Sequence, residues 1–275
     1  MDFITSGLNP WRQSVPMHAS WDLLWVAVIA GAAFLLIHAA YVRFWARPEP
    51  DTPAPDAGPF PERVPRHSAA ARLFHWVMAA AMFVLLFTGF LPVLGIEFAW
   101  VRWHWLAGIV LTASVLFHIV HTTLWLDFWS IWPDRQDVAD ARIRIMRAAG
   151  SSSLSPRKPG KYPLENKLYH LALVLTGVAV TVTGVLMMVR VETPFWTRNP
   201  YVLGDFAWGV VYVAHGLVGV SLVTLVMVHV YFAVRPEKWA ITHSMIFGWM
   251  SRSHFLRHHD PERWNVRDRD GKAAV

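Results

Sequence analysis

The stretch "HGLVGVSLVTLVMVHVYFAV", residues 215–234, places two histidines in an apolar run long enough to cross a membrane. A hydrocarbon core needs about 20 such residues, and an ionisable side chain inside it is a functional candidate. Fourteen residues of helix advance about 21 Å and complete almost four turns. His215 and His229 therefore point in nearly the same direction at two depths of one predicted transmembrane helix.

Five apolar runs of this kind predict an all-α membrane protein with five transmembrane helices. They are Leu23–Val42, Leu73–Leu91, Trp103–Leu126, Leu168–Val189 and Phe206–Val234. A proline-rich inner linker, 47–66, follows an outer segment and extra helix in residues 1–46. We expect a four-helix bundle at 67–240 and a basic inner tail at 241–275.

The basic residues predict the orientation of these helices. With the N-terminus outside, the inner segments 43–72, 127–167 and 235–275 hold 21 Lys and Arg, and the outer segments hold 4. The positive-inside rule then places the C-terminus in the cytoplasm. Because the net charge of +6 lies in loops beside the membrane, anionic lipid is the expected partner and nucleic acid is not.

Histidines at matching depths predict two b-type haems. The chain has no cysteine and 14 histidines, so imidazole is its main potential metal ligand. His104 begins the third span from the outer side and matches His215. His75 begins the second span from the inner side and matches His229. Each pair would bind one haem iron between two helices.

Glycines near the outer pair predict room for a porphyrin. Gly108 and Gly219 each follow a ligand histidine by four residues and share its helix face, because residues four apart are neighbours on a helix. Gly216 adds space beside His215. Close helix packing is the alternative explanation for these glycines.

Spacing alone allows a second candidate for the partner of His229 at the inner haem. His118 also lies fourteen residues after His104, so His118 with His229 is as good a match as His75 with His229. Depth weakly prefers His75, which lies about one turn inside the inner boundary, as His229 does. His118 lies about two turns from that boundary.

Three stretches resemble one known family. They are "RHSAAARLFHWVMAAAMFVLLFTGF" at 66–90, "HWLAG" at 104–108, and the last span with "ITHSMIFGWMSRSHFLRHHDPERW" after it. Together they resemble the formate dehydrogenase gamma subunit, the dihaem cytochrome b membrane subunit of respiratory formate dehydrogenase, over residues 63–265. The resemblance implies four haem ligands, and these include His75 rather than His118. The four are His75, His104, His215 and His229.

The resemblance also implies a function and partners. Electrons would come from an outer iron–sulfur subunit, fed by a molybdenum or tungsten subunit that oxidises formate, and would pass through both haems to quinone. The setting would be the bacterial inner membrane. The implied quinone site lies near His229 and the segment "GKYPLENK", with Gly160, Tyr162, Asn166 and Lys167 as its residues.

Other functions stay open at this point. The same subunit could serve a hydrogenase or a thiosulfate-type molybdoenzyme, because the donor binds outside this chain. A transporter would need acidic residues or broken helices at mid-membrane, and the spans have no Asp or Glu at their centres. A purely structural anchor has no need of four histidines at paired depths.

Overall fold

The computed structural model describes residues 3–45, 60–151, 154–264 and 266. Five of its helices are long and apolar enough to cross a membrane, which confirms the five predicted spans. These helices are α1 (Asp22–Phe44), α2 (Ala69–Phe90), α3 (Trp100–Trp125), α5 (Leu164–Met188) and α6 (Asp205–Val234). A 3-10 turn at Pro92–Leu94 extends the second span to Leu94.

Shorter elements lie outside the spans, and the strands among them were not predicted. The helices are α4 (Arg135–Ala148), α7 (Trp239–Phe247) and α8 (Arg252–His258). The strands are β1 (Ile4–Leu8), β2 (Ser14–Ala19), β3 (Arg63–Pro65) and β4 (Trp249–Ser251). The pairs β1–β2 and β3–β4 are both antiparallel. β3 falls inside the predicted linker, 47–66, of which residues 47–59 lie outside the described part.

The chain divides into two compact units. Unit 1 contains the described parts of residues 1–47, 76–117 and 173–231. Unit 2 contains those of residues 48–75, 118–172 and 232–275. The functional domain limits predicted from the sequence stay predictions.

In unit 1 the extra helix α1 packs along α6. The Thr224 hydroxyl donates to the Ala27 carbonyl over 2.9 Å, and His38 Nδ1 lies 3.0 Å from the Tyr231 hydroxyl. A Cβ at Gly31 would lie 3.0 Å from Met227 Cε, so the glycine permits this close approach. Small residues and polar contacts therefore join α1 to the helix that carries His215 and His229.

In unit 2 the β3–β4 pair covers a small apolar core outside the spans. Its members come from β3, β4, α8 and the tail, and they are Val64, Met250, Phe255, Leu256, Trp264 and Val266. Phe60 packs against them. Because this core includes residues before α2 and after α7, the segments that flank the spans form one packed structure.

An ion-pair network fixes α4 in unit 2. Asp134 caps the helix through a capping box with Asp137, in which each side chain accepts from the other's backbone N–H. Lys167 is buried and lies 2.6 Å from Asp137, and Arg263 lies 3.3 Å from Asp140. The acidic residues of α4 therefore point inward, toward α5 and the tail.

Candidate functional site

Two of the predicted ligand histidines face each other in unit 1. The ring centroids of His104, on α3, and His215, on α6, are 6.3 Å apart, with planes inclined at 72°. An imidazole–metal bond is about 2 Å long, so two rings bound to opposite sides of one metal ion have centroids about 6 Å apart. The spacing therefore suits one metal ion between the two rings.

Each of these histidines contacts a threonine through Nδ1. Thr88 Oγ1, on α2, lies 2.8 Å from His104 Nδ1, and Thr183 Oγ1, on α5, lies 2.9 Å from His215 Nδ1. Both hydroxyls donate their own proton to a backbone carbonyl of the preceding turn, of Val84 and Ala179 respectively. They must then accept from the imidazole N–H, which leaves the Nε2 lone pair free for a metal.

A glycine follows each threonine and lies beside the neighbouring ring, with the tighter approach at Gly184. A Cβ at Gly89 would lie 3.5 Å from His104 Cε1, and one at Gly184 would lie 3.3 Å from His215 Cε1. The site is thus built twice from the same parts, a Thr-Gly pair on one helix and a histidine on another. Four helices, α2, α3, α5 and α6, contribute to it.

This duplicated arrangement was missed in the sequence, although a signal is present. Thr-Gly occurs at 88–89 and again at 183–184, each before a span that carries His-x-x-x-Gly. Thr88 and Gly89 entered the prediction only as part of a resemblance. A search for internal repeats would have identified Thr183 and Gly184 as the matching pair.

The glycines predicted to make room for a porphyrin differ in their surroundings. No atom lies within 4 Å of a Cβ built at Gly108, and the nearest to one at Gly219 is a Phe90 ring carbon at 3.6 Å. The space expected at Gly216 is filled, because a Cβ there would lie 3.3 Å from Ala19. Gly216 therefore serves the packing of the N-terminal segment rather than a cofactor.

These residues fit a haem better than a bare metal ion. Within the described ranges, no group of three or more His, Asp or Glu side chains is arranged to hold an ion. A haem iron takes only two axial ligands from the protein, since the porphyrin supplies the others. Two free Nε2 atoms and the open face at Gly108 match that requirement.

The predicted inner ligands belong to different units, His75 to unit 2 and His229 to unit 1. Their pairing stays a prediction. The rival His118 is in unit 2, where its ring centroid lies 6.3 Å from that of His170 on α5. Phe74 stacks on His118 at 4.5 Å with an interplanar angle of 5°. His118 thus has a histidine neighbour that the sequence analysis did not pair with it.

The predicted quinone segment is held by protein contacts in unit 2. The Gly160 carbonyl accepts from His259 Nδ1 at 2.7 Å, and the Tyr162 ring lies 5.6 Å from the Arg66 guanidinium carbon. Lys167 is 5% exposed, and its ammonium group forms an ion pair with Asp137. The Asn166 backbone N–H donates to the Pro163 carbonyl in the first turn of α5.

The Arg66 guanidinium beside this segment is buried, and none of its contacts among the described residues is with a carboxylate. Arg66 donates to the Lys161 carbonyl at 3.1 Å and lies 3.4 Å from His259 Nε2. Burial lowers the pKa of Arg66, and burial together with the Arg66 charge lowers the pKa of His259 to about 4. At neutral pH His259 is therefore uncharged and can accept from the guanidinium.

Comparison with known proteins identifies a family and a relative that this chain resembles. A profile of the family described as prokaryotic cytochrome b561 matches residues 66–248, well over half of the chain. The formate dehydrogenase cytochrome b556 subunit of Haemophilus influenzae is 26% identical over 216 residues, which cover 74% of this chain and 82% of that protein. The resemblance predicted from residues 63–265 is thereby confirmed.

Proposed function

This chain belongs to the prokaryotic cytochrome b561 family, and on that premise we propose that it is the membrane subunit of a formate dehydrogenase complex. It is a multi-pass membrane cytochrome b, and membership of the family implies haem b. Formate as the source of electrons is supported by the relative from Haemophilus influenzae, which is a formate dehydrogenase cytochrome b556 subunit.

The outer haem assignment rests on one observation. His104 and His215 have the spacing of two axial ligands, and each directs Nδ1–H to a threonine, which frees Nε2. When bound, haem would supply one-electron oxidation and reduction. The two threonines hold the imidazoles in the tautomer that can bind iron and raise their basicity as ligands.

For the inner haem we propose His75 and His229 as ligands. The support is the fourteen-residue interval between His215 and His229, which gives α6 one ligand at each of two depths. The family resemblance adds His75 as the partner of His229. Two haem b groups per chain follow from the two pairs.

Electrons enter this subunit on the outer side in the proposed complex. An iron–sulfur subunit delivers them, after a molybdenum or tungsten subunit has oxidised formate. They leave to a quinone near the inner face, which takes up two electrons and two protons. The chain itself oxidises no formate, and its role is electron transfer and quinone reduction.

The proposed quinone site lies near the start of α5 and His229. Tyr162 and Asn166 supply a hydroxyl and an amide that can bind a carbonyl oxygen. Gly160 and Lys167 act by positioning, because Gly160 lies against Arg263 and Lys167 joins α5 to α4 through Asp137. The buried ion pair fixes where this segment begins.

The proposed setting is the bacterial inner membrane, with the N-terminus outside and the C-terminus in the cytoplasm. The support is the distribution of Lys and Arg, 21 against 4 between the two sides. The electron path then runs from the outer to the inner face, so each transferred electron carries one negative charge across the membrane potential. One charge corresponds to about 2.3 kcal/mol per 100 mV.

A reduced-minus-oxidised absorbance spectrum of the purified complex tests this proposal. We expect formate to reduce a b-type haem signal, and added quinone to reoxidise it. A purified complex without any b-type signal would rule the proposal out. Reduction by hydrogen or thiosulfate-type donors but not by formate would assign the chain to a different respiratory oxidoreductase instead.

A further inference from the structure

Among the described residues of unit 2, two ring nitrogen atoms that face each other's side chains are buried without a hydrogen-bond partner. They are Nε1 of Trp132, in the segment between α3 and α4, and Nδ1 of His170, on α5. Leaving a buried polar group unsatisfied costs about 1–3 kcal/mol, so such atoms are rare and need an explanation. Their ring centroids are 6.2 Å apart, and the planes are nearly perpendicular at 85°.

Two more aromatic rings continue this arrangement. His118 lies 6.3 Å from His170, and Phe74 stacks on His118 at 4.5 Å. We call the four residues Phe74, His118, Trp132 and His170 the inner aromatic cluster. They come from α2, α3, the segment after α3 and α5. Aromatic walls with a few unsatisfied polar atoms are the composition of a small-molecule site.

The polar atoms indicate the chemistry of the ligand. An indole N–H can only donate, so a bound cation would not satisfy Trp132. The Thr122 hydroxyl donates to the His118 carbonyl at 2.6 Å and lies 3.2 Å from His118 Nδ1, so that nitrogen already has a partner. Trp132 Nε1 therefore requires an acceptor oxygen, and the same oxygen can accept from His170 in the tautomer that carries its proton on Nδ1.

The surroundings favour a flat, lipophilic ligand over a bulk-solvent molecule. Trp129, one turn before Trp132 in the chain, is 75% exposed, and Leu168, two residues before His170, is 52% exposed. Leu168 lies near the start of the span α5, and Trp129 lies four residues after the span α3 ends at Trp125, so both are near the predicted inner membrane surface. A ligand dissolved in the bilayer could reach the cluster from that side.

We propose that the inner aromatic cluster binds the quinone headgroup, with one carbonyl oxygen accepting from Trp132 Nε1 and lying against His170. This inference rests on the proposed function and names the residues of its quinone site. It assigns the headgroup contact to Trp132 and His170, one turn further along α5 than Asn166, instead of to Tyr162 and Asn166, and it leaves Gly160 and Lys167 in their positioning roles. Phe74 is also adjacent in sequence to His75, the proposed inner haem ligand.

The test is the KM for a short-chain ubiquinone or menaquinone analogue in the purified complex with formate as donor. Trp132→Phe keeps an aromatic ring but removes the N–H donor together with part of the indole, so we expect KM to rise by at least about three- to tenfold, the range for one lost hydrogen bond. His170→Phe should raise KM in the same direction. Trp129→Phe is the matched control and should leave KM at the wild-type value.

The formate-reduced haem spectrum shows whether each variant has assembled, and His170→Phe serves as the test if Trp132→Phe loses haem. Wild-type KM in both Trp132→Phe and His170→Phe would overturn this inference and leave the proposed function intact. A wild-type complex that is reduced by formate but reduces neither quinone analogue would overturn both. An equal rise in Trp129→Phe would assign the effect to the membrane surface instead of the cluster.

Discussion

Two histidine pairs in this molecule have the same spacing and different surroundings. The centroids of His104 and His215 in unit 1 and of His118 and His170 in unit 2 are both 6.3 Å apart. In unit 1 each Nδ1 donates to a threonine hydroxyl, whereas in unit 2 the Nδ1 of His170 has no partner among the described residues. Spacing alone therefore does not define a haem site, because the second nitrogen must also be held.

The largest effect expected from this difference is on haem content. His104→Ala and His215→Ala each remove an axial ligand, so we expect each to lose the outer haem and halve the haem per chain. His118→Ala should leave the wild-type amount. The measurement is the haem-to-protein ratio of purified variants. Loss of haem in His118→Ala with retention in His104→Ala would reverse the roles of the two pairs.

Removing the threonine contacts should weaken the outer haem without deleting a ligand. Thr183→Val and Thr88→Val lose the acceptor for Nδ1–H, and outer-shell partners of this kind are worth about 10- to 100-fold in metal affinity. The less basic imidazole should also raise the midpoint potential of the outer haem. Haem transfer to an excess of apo-myoglobin and a redox titration measure the two effects.

A matched control for the threonines is available on the same helix. The Thr181 hydroxyl is buried and makes no hydrogen bond among the described residues, so Thr181→Val should change neither affinity nor potential. Thr183→Ser keeps the hydroxyl and should restore both. Equal behaviour of Thr181→Val and Thr183→Val would show that the effect comes from general packing.

The lengths of the apolar runs made the five transmembrane helices predictable from the sequence. The five spans follow from apolar runs, because a bilayer fixes how many residues a helix needs to cross it. Partners across helices depend on how each helix is rotated, and residue spacing along one chain segment does not set that rotation. This is why His104 and His215 could be matched by depth, while Thr183 as the partner of His215 could not.

The glycines illustrate the same limit. Gly108 and Gly216 both lie near a ligand histidine in sequence, yet one faces open space and the other faces Ala19. The difference depends on the N-terminal hairpin, whose strands of five and six residues carry too weak a pattern to be predicted beside five long helices. Its position decides which glycine can serve a cofactor.

A smaller effect is expected at the ion pair that fixes the start of α5. Asp137→Asn removes the charge that faces buried Lys167, and losing one such charged hydrogen bond should cost about 1.5–3 kcal/mol of stability. Thermal unfolding in detergent measures the loss as a lower Tm. The exposed pair Arg144–Glu165 is the control, since Glu165→Gln should cost less than about 1 kcal/mol. Equal losses in both variants would contradict the structural role of Lys167.

The last expected effect is a pH dependence in the packing of the tail. Burial first, and then nearby cationic side chains, lower the pKa of His67 to about 2 and of His254 and His259 to about 4. Because the folded pKa values lie below the ordinary value of about 6.5, the unfolded state binds protons first as the pH falls. The contribution of these histidines to the free energy of unfolding is fully present above about pH 6.5 and decreases toward pH 4.

Hydrogen–deuterium exchange over residues 249–264, corrected for the intrinsic effect of pH, measures this loss. We expect weaker protection at pH 5 than at pH 7.5. His259→Asn cannot take up a proton in this range, so its protection should change less with pH. Protection in the wild type that is equal at both pH values would show that these histidines do not couple to the tail.

The central claim is that the chain binds two haems, with one ligand to each from α6 and with His75 as the second ligand of the inner haem. A redox titration of the purified complex, followed at the b-haem absorbance, tests it most directly. The account predicts two components of equal amplitude in the wild type, of which one remains in His75→Ala and both remain in His118→Ala. A single component in the wild type, or an unchanged pair of components in His75→Ala, would contradict it.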